Sequence, residues 1–117
     1  MASVRAVSIR LAHDELPVAV GARSLPPFLA TAGRDGRVHV VAVAAELDGD
    51  TFTVHGAGST TLSNLTRNPA VTLAWAPPEP DGYSLVVDGV ARFDGPVLLV
   101  RVTSAVLHRP APEPGEG

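Results

Sequence analysis

The chain is 117 residues long, 45% hydrophobic and 18% charged with a formal net charge of −3, which suits one domain built around one hydrophobic core. It has no cysteine and its basic residues are all arginine, so disulfides, thiolate nucleophiles, cysteine-ligated metals, Schiff bases and a P-loop lysine are excluded. A mildly acidic chain without a basic run lacks the charge to displace counterions from nucleic acid, and its longest apolar run, residues 40–45, is too short to cross a bilayer.

Residues 4–11 suit either a strand or a frayed helix, and Pro17, Pro26 and Pro27 interrupt the next stretch of chain. Residues 28–32 are apolar or β-branched and run into Gly33-Arg34-Asp35-Gly36, where the Asp-Gly pair signals a hairpin. A second strand is expected over 38–46. After the turn Leu47-Asp48-Gly49-Asp50, residues 51–55 alternate polar with apolar as a third. Gly56-Ala57-Gly58 then leads to a helix of about two turns, with Ser59 as its cap, Leu62 and Leu65 three apart, and Pro69 as its stop. A fourth strand over 70–75 is followed by a stiff proline loop at 77–82. Trp75 and Tyr83 flank that loop, as the mouth of a pocket or as rim packing. Residues 83–93 form a fifth strand, with Gly89 a bulge or close-approach point, and residues 97–106 a sixth. One domain over residues 1–109 and a disordered Pro/Gly/Glu tail over 110–117 are expected. Nothing after Arg5 and Arg10 reads as a secretory signal, so the expected location is cytoplasmic.

The second strand says most about architecture. His39, Val41, Val43 and Ala45 share one face, and Val38, Val40, Ala42 and Ala44 share the other. Both faces are almost wholly apolar, so both need cover. A closed antiparallel barrel covers one and removes exposed sheet edges. Either a second copy of the chain or the N-terminal segment covers the other, and a two-fold dimer is the commonest oligomer.

Three stretches, LATAGRDGRVHVV at 29–41, GSTTLSNLTRNPAVTL at 58–73 and GYSLVVDGVA at 82–91, occur in an order that resembles the pyridoxamine 5'-phosphate oxidase-like family of FMN-binding and deazaflavin-binding proteins. The resemblance covers residues 28–107. The fold class expected is then mainly β: a six-stranded antiparallel split β-barrel with one short helix, paired as a homodimer. The resemblance implies a flavin in a groove at the subunit interface, its phosphate near the start of the short helix and its ring along the second strand. On this chain Ser59, Thr60, Thr61 and His55 would surround the phosphate, with Arg37 and Arg67 as helpers. Val40, Val41 and Ala42 would line the ring.

Elementary chemistry agrees with a phosphate there. A helix start presents unpaired N–H groups and partial positive charge, three hydroxyls add donors, and Gly56 and Gly58 permit close approach. The plainer roles are a simple N-cap for Ser59, capping of the last carbonyls for Arg67, and a solvated strand end for His55. The chain also departs from the family. Thr60 and Thr61 stand where many members carry cations, and no second cation follows Arg37 along the strand. Replacing two charge-assisted bonds by neutral ones costs roughly 1–3 kcal/mol. A long polyglutamylated deazaflavin tail would want several cations, so FMN is the first cofactor expected and deazaflavin (factor-420) the alternative. The fifth and sixth strands join directly at Phe93-Asp94-Gly95-Pro96-Val97, where relatives often place a helix.

Other chemistries fit less well. His13, His39, His55 and His108 share no metal-binding spacing. The Gly-x-Ser-x-Gly elbow of a hydrolase is absent, and the 56–58 glycines lack the third glycine and the β-α-β setting of a dinucleotide fingerprint. A flavin carries its own redox chemistry, which suits a chain without an obvious acid–base pair. The expected function is a flavin-dependent oxidoreductase acting on a small molecule, with no catalytic residue singled out. A deazaflavin-dependent reductase and a non-catalytic dimeric flavin or small-ligand binder are the alternatives. No metal, nucleic acid or membrane is expected.

Overall fold

Asp-Gly pairs set up three of the hairpins. In a computed structural model, which describes residues 6–110, the chain turns back after Asp35, Asp48 and Asp94. Each following glycine takes a positive φ, at 80°, 64° and 59° for Gly36, Gly49 and Gly95, a region that side-chain-bearing residues avoid.

The eight strands are β1 (Ala6–Arg10), β2 (Phe28–Ala32), β3 (Val38–Ala42), β4 (Ala44–Asp48), β5 (Thr51–His55), β6 (Ala70–Trp75), β7 (Ser84–Asp94) and β8 (Val97–Pro110). They form one antiparallel sheet in the order β3-β2-β6-β7-β8-β5-β4. The long β8 pairs along one edge with β7. Its other edge is shared, with Leu98 to Arg101 facing β5 and Val106 to Pro110 facing β1. β3 and β4 stand at opposite ends of the order, yet only Val43 separates them in the chain, so the sheet curls round and is closed by its own backbone.

Eight strands and two short helices replace the six strands and single helix expected. The second strand divides at Val43. Its N–H donates to the Pro27 carbonyl at 3.0 Å, but proline has no N–H to return, so the β2–β3 ladder ends there. The chain then hands over to β5. Residues 6–10 form the extra strand on β8. The extra helix, α1 (Leu16–Gly21), follows a 3-10 turn at His13–Glu15 and carries Pro17 at its start, where a missing N–H costs nothing. The second helix, α2, is Ser59–Arg67, and its cap is Gly58 instead of Ser59. The fifth strand starts at Ser84 and the sixth runs on to Pro110; the remainder of the expected tail, 111–117, lies outside the described residues.

The barrel interior is apolar and closed. Leu29, Leu73, Leu85 and Phe52 are fully buried, each contributing about 1.5–3 kcal/mol by burial. Trp75 packs its ring 5.5 Å from that of Phe52, centroid to centroid, so it is a core residue and not the mouth of a pocket. Leu16 of α1 belongs to the same core. Gly89 sits at a bulge between β7 and β8. A Cβ there would lie 2.6 Å from the Arg101 carbonyl oxygen, so the close approach expected at this glycine is real.

The outward face of β3, β2, β6 and β7 stays bare within one chain. Val38, Val40 and Phe28 are 66%, 54% and 50% exposed. Among the described residues the N-terminal segment pairs with β8 through β1 and sends Leu16 into the core, while Phe28, Val38 and Val40 stay exposed, so it does not cover this face. No helix among the described residues is long and apolar enough to cross a membrane.

Candidate functional site

Helix α2 is amphipathic in an unusual sense. Thr61 and Leu65 turn into the protein, while Thr60, Ser63, Asn64 and Arg67 recur at the i, i+3, i+4, i+7 spacing of one helix face. That polar stripe faces the β2–β3 hairpin. The two are pinned together by the Asn64 amide, which donates to the Thr31 hydroxyl at 3.1 Å, with both residues buried.

Between stripe and hairpin lies a cleft of about 400 Å³. Arg34, Arg37, Val38 and His39 form one wall and Thr60, Ser63, Asn64 and Arg67 the other. Three arginines therefore meet here in a chain that is acidic overall. The one carboxylate of the lining is Asp35. It holds the Arg37 side chain at 3.5 Å and accepts the Arg37 backbone N–H at 3.1 Å. Arg34 and Arg67 make no ion pair among the described residues.

The helix start opens nearby. Gly58 is extended and no side chain caps the helix; the first internal bond is donated by Leu62 to the Gly58 carbonyl at 3.1 Å. The amide groups of Ser59, Thr60 and Thr61 precede that bond, and helical geometry gives them no partner. The unpaired amides, the Thr60 and Ser63 hydroxyls and the arginines make a donor set for an oxyanion.

Of the residues expected to bind a cofactor, Arg37, Thr60 and Arg67 meet at this cleft. Ser59 is exposed beside Thr60 at the helix start. Thr61 is fully buried, and its Oγ1 has no hydrogen-bond partner. His55 is exposed at the end of β5, opposite Ala44. Val40 and Ala42 lie on the outward face of β3, whereas Val41 is half-buried on the inner side. Arg34, His39, Ser63 and Asn64 are additions to the expected set. The stripe on α2 is signalled by its spacing; Arg34 and His39 carry no local signal, because hairpin pairing brings them to the helix.

Two other features are less suited to a ligand. On the outward sheet face a cleft of about 380 Å³ is lined by Ala30, Val38, Thr72, Asp88 and Val90. Its carboxylate is satisfied internally: Thr72 donates to Asp88 at 2.7 Å and Ser104 at 3.3 Å. The proline loop is tied down by arginines. Arg23 donates to the Ala19 and Tyr83 carbonyls, both at 2.6 Å, and burial lowers its pKa. Arg109 stacks 4.9 Å from the Tyr83 ring centroid and donates to the Asp81 carbonyl at 3.2 Å. Among the described residues no group of three or more potential metal ligands comes together.

No protein-family model matches the chain. Two curated relatives, the uncharacterized proteins Mb0449c of Mycobacterium bovis and MT0457 of Mycobacterium tuberculosis, are each 40% identical over a 103-residue alignment covering 72% of this chain and 70% of theirs. Among solved structures, an F420 reductase matches with a TM-score of 0.58 and 22% identity, over 72% of this chain and 90% of its own. An FAD-binding protein from Mesorhizobium loti has a TM-score of 0.64 at 11% identity, over 94% of this chain and all of its own (100%). An FMN-binding protein from Syntrophomonas wolfei has the same TM-score, 0.64, at 12% identity, over 86% of each chain.

Proposed function

Since the chain belongs to the family of the two mycobacterial proteins and folds as a pyridoxamine 5'-phosphate oxidase-like split barrel, we propose that it binds a flavin, FMN first, and uses it in the oxidation or reduction of a small molecule. The observation that carries this reading is the cleft between α2 and the β2–β3 hairpin, lined by Arg37, Thr60 and Arg67, with Thr60 in the first turn of an uncapped helix and Arg67 in its last. That donor set suits a phosphate ester. Ser59, Thr60 and Thr61 offer their amides to it, the Thr60 hydroxyl adds a donor, and Arg37 and Arg67 supply the positive field.

The bound flavin would supply the redox chemistry itself. This chain's part is to hold and orient it and to keep water away. Val40 and Ala42 offer an apolar platform on the outward face of β3, next to the cleft, and Val41 packs against the core on the other side. In one chain that platform is open to solvent. We therefore propose a homodimer in which a second copy covers the bare face, encloses the ring and lies in the cytoplasm with the first. The exposure of Val38, Val40 and Phe28 supports this, because monomers seldom leave such a cluster uncovered.

A deazaflavin (factor-420) is the second reading. Two observations favour it: the likeness to an F420 reductase, and an arginine excess at the cleft beyond what a single phosphate needs.

Titration of the purified protein with FMN and with riboflavin, followed by flavin fluorescence, tests the proposal. Loss of one charge-assisted phosphate bond is worth about 1.5–3 kcal/mol, so FMN is expected to bind at least tenfold tighter than riboflavin. Equal affinities, or no binding of either, would overturn it.

A further inference from the structure

We propose that the cleft on the outward sheet face is a subsite for a ligand with an apolar body and a protonated nitrogen, anchored at Asp88. The site stands on its own geometry. Its role as the place of the molecule to be oxidised or reduced rests on the flavin reading above, and gives that molecule a chemical class.

Strand register carries the geometry. Val40, Ala30, Thr72, Asp88 and Ser104 are successive cross-strand partners on β3, β2, β6, β7 and β8, so they form one row across the sheet. Directly opposite residues share a face, and the row therefore runs from the platform proposed for the ring to the carboxylate. Neighbouring strands lie about 4.8 Å apart, which puts Asp88 roughly 14 Å from Val40. Ala30 and Thr72 lie between the two and line the cleft, with Val38 and Val90 as its bulkier apolar lining. Its volume of about 380 Å³ falls within the range of small-molecule sites. Val38 also lines the arginine cleft, so the two cavities share a wall.

The hydroxyls of the row set its charge. Thr72 donates to one Asp88 oxygen at 2.7 Å and Ser104 to the other at 3.3 Å. These bonds satisfy the carboxylate within the chain without saturating it, since its oxygens together accept about four. Both hydroxyl protons are spent on Asp88, so the row meets a ligand with lone pairs and negative charge. It takes a donor and repels an anion. Asp88 makes no ion pair among the described residues, although Arg101 stands opposite the next outward residue of β7, Val90. Elsewhere on this face Phe28, Val38 and Val40 are apolar and exposed. A second copy laid over such a face would leave the carboxylate charged in an apolar interface, which is costly without a countercharge. A protonated amine or amidine supplies that charge together with the donors.

The test titrates 2-phenylethylamine, 2-phenylethanol and 3-phenylpropanoate, which share a body and differ in charge, at low salt while backbone amide shifts are read. The amine is expected to move Thr72, Asp88 and Val90 and to bind at least tenfold tighter than the other two. Asp88→Asn should remove that advantage, and Ala30→Leu, which fills the cleft, should weaken amine and alcohol alike. Equal binding of the three probes, or an amine whose affinity survives Asp88→Asn, would overturn the site. So would an amine that does not bind while Asp88→Asn lowers the solution mass from two chains to one, because Asp88 would then belong to an arginine of the second copy. FMN is titrated into the same samples. If FMN binds and the amine does not, this inference falls and the flavin reading stands. If the amine binds at Asp88 and FMN does not bind, the subsite stands and its link to a flavin falls.

Discussion

Asn64 of α2 and Thr31 of β2 face one another across 3.1 Å, the amide donating to the hydroxyl, with both side chains buried. They join the two walls of the arginine-lined cleft. A polar pair in a buried position must be satisfied by its own partner, so the pair fixes how far the helix stands from the hairpin, and with it the width of the site.

Breaking this pair should cost both stability and affinity. Asn64→Ala leaves the Thr31 hydroxyl buried without its donor, at about 1–3 kcal/mol of unfolding free energy. Thr31→Val should cost a similar amount, and the double variant less than the sum, because both changes remove one bond. Urea denaturation of the three variants measures this; strictly additive losses would show that the pair is not coupled.

Thr60 lines the cleft in the first turn of α2. Thr60→Arg should therefore add a charge-assisted bond to the phosphate and tighten FMN by about 1 kcal/mol, roughly fivefold. Titration of a folded variant decides the matter. Unchanged or weaker affinity would put the phosphate elsewhere.

Val40 and Val43 separate assembly from folding. Val40 points outward and is 54% exposed in one chain, whereas Val43 is 4% exposed in the core. Val40→Asp should leave a cooperatively folded protein whose mass in solution falls from two chains to one. Val43→Asp should abolish folding, because an unpaired charge is costly in an apolar interior. Light scattering with thermal unfolding measures both. A Val40→Asp protein of unchanged mass would remove the proposed dimer face.

The strands are legible in the sequence because alternation and Asp-Gly turns are local signals, and Gly36, Gly49 and Gly95 adopt the φ those turns demand. The faces of β3 are also readable, since Val38, Val40 and Ala42 sit exposed while His39 and Val41 turn inward. The division at Val43 is not readable, because it depends on Pro27 arriving opposite through pairing. Pro17 reads as a breaker, although proline at a helix start is neutral, and α1 escapes a sequence reading for that reason. At the site, the pair Leu62 and Leu65 hides the better stripe: Leu62 is exposed, and Thr60, Ser63, Asn64 and Arg67 carry the face that matters. Residue preference points to Ser59 as the cap, yet Gly58 holds that position and frees the serine at the first helical residue. Arg34 and His39 enter only through tertiary pairing, which no spacing in the chain encodes.

Backbone amide chemical shifts recorded as FMN is added report where on the fold the cofactor sits. The largest changes should fall on Ser59, Thr60 and Thr61, with Arg37 and Arg67 following in the same titration. Changes confined to the proline loop around Tyr83 and Arg109, with the start of α2 unmoved, would contradict it.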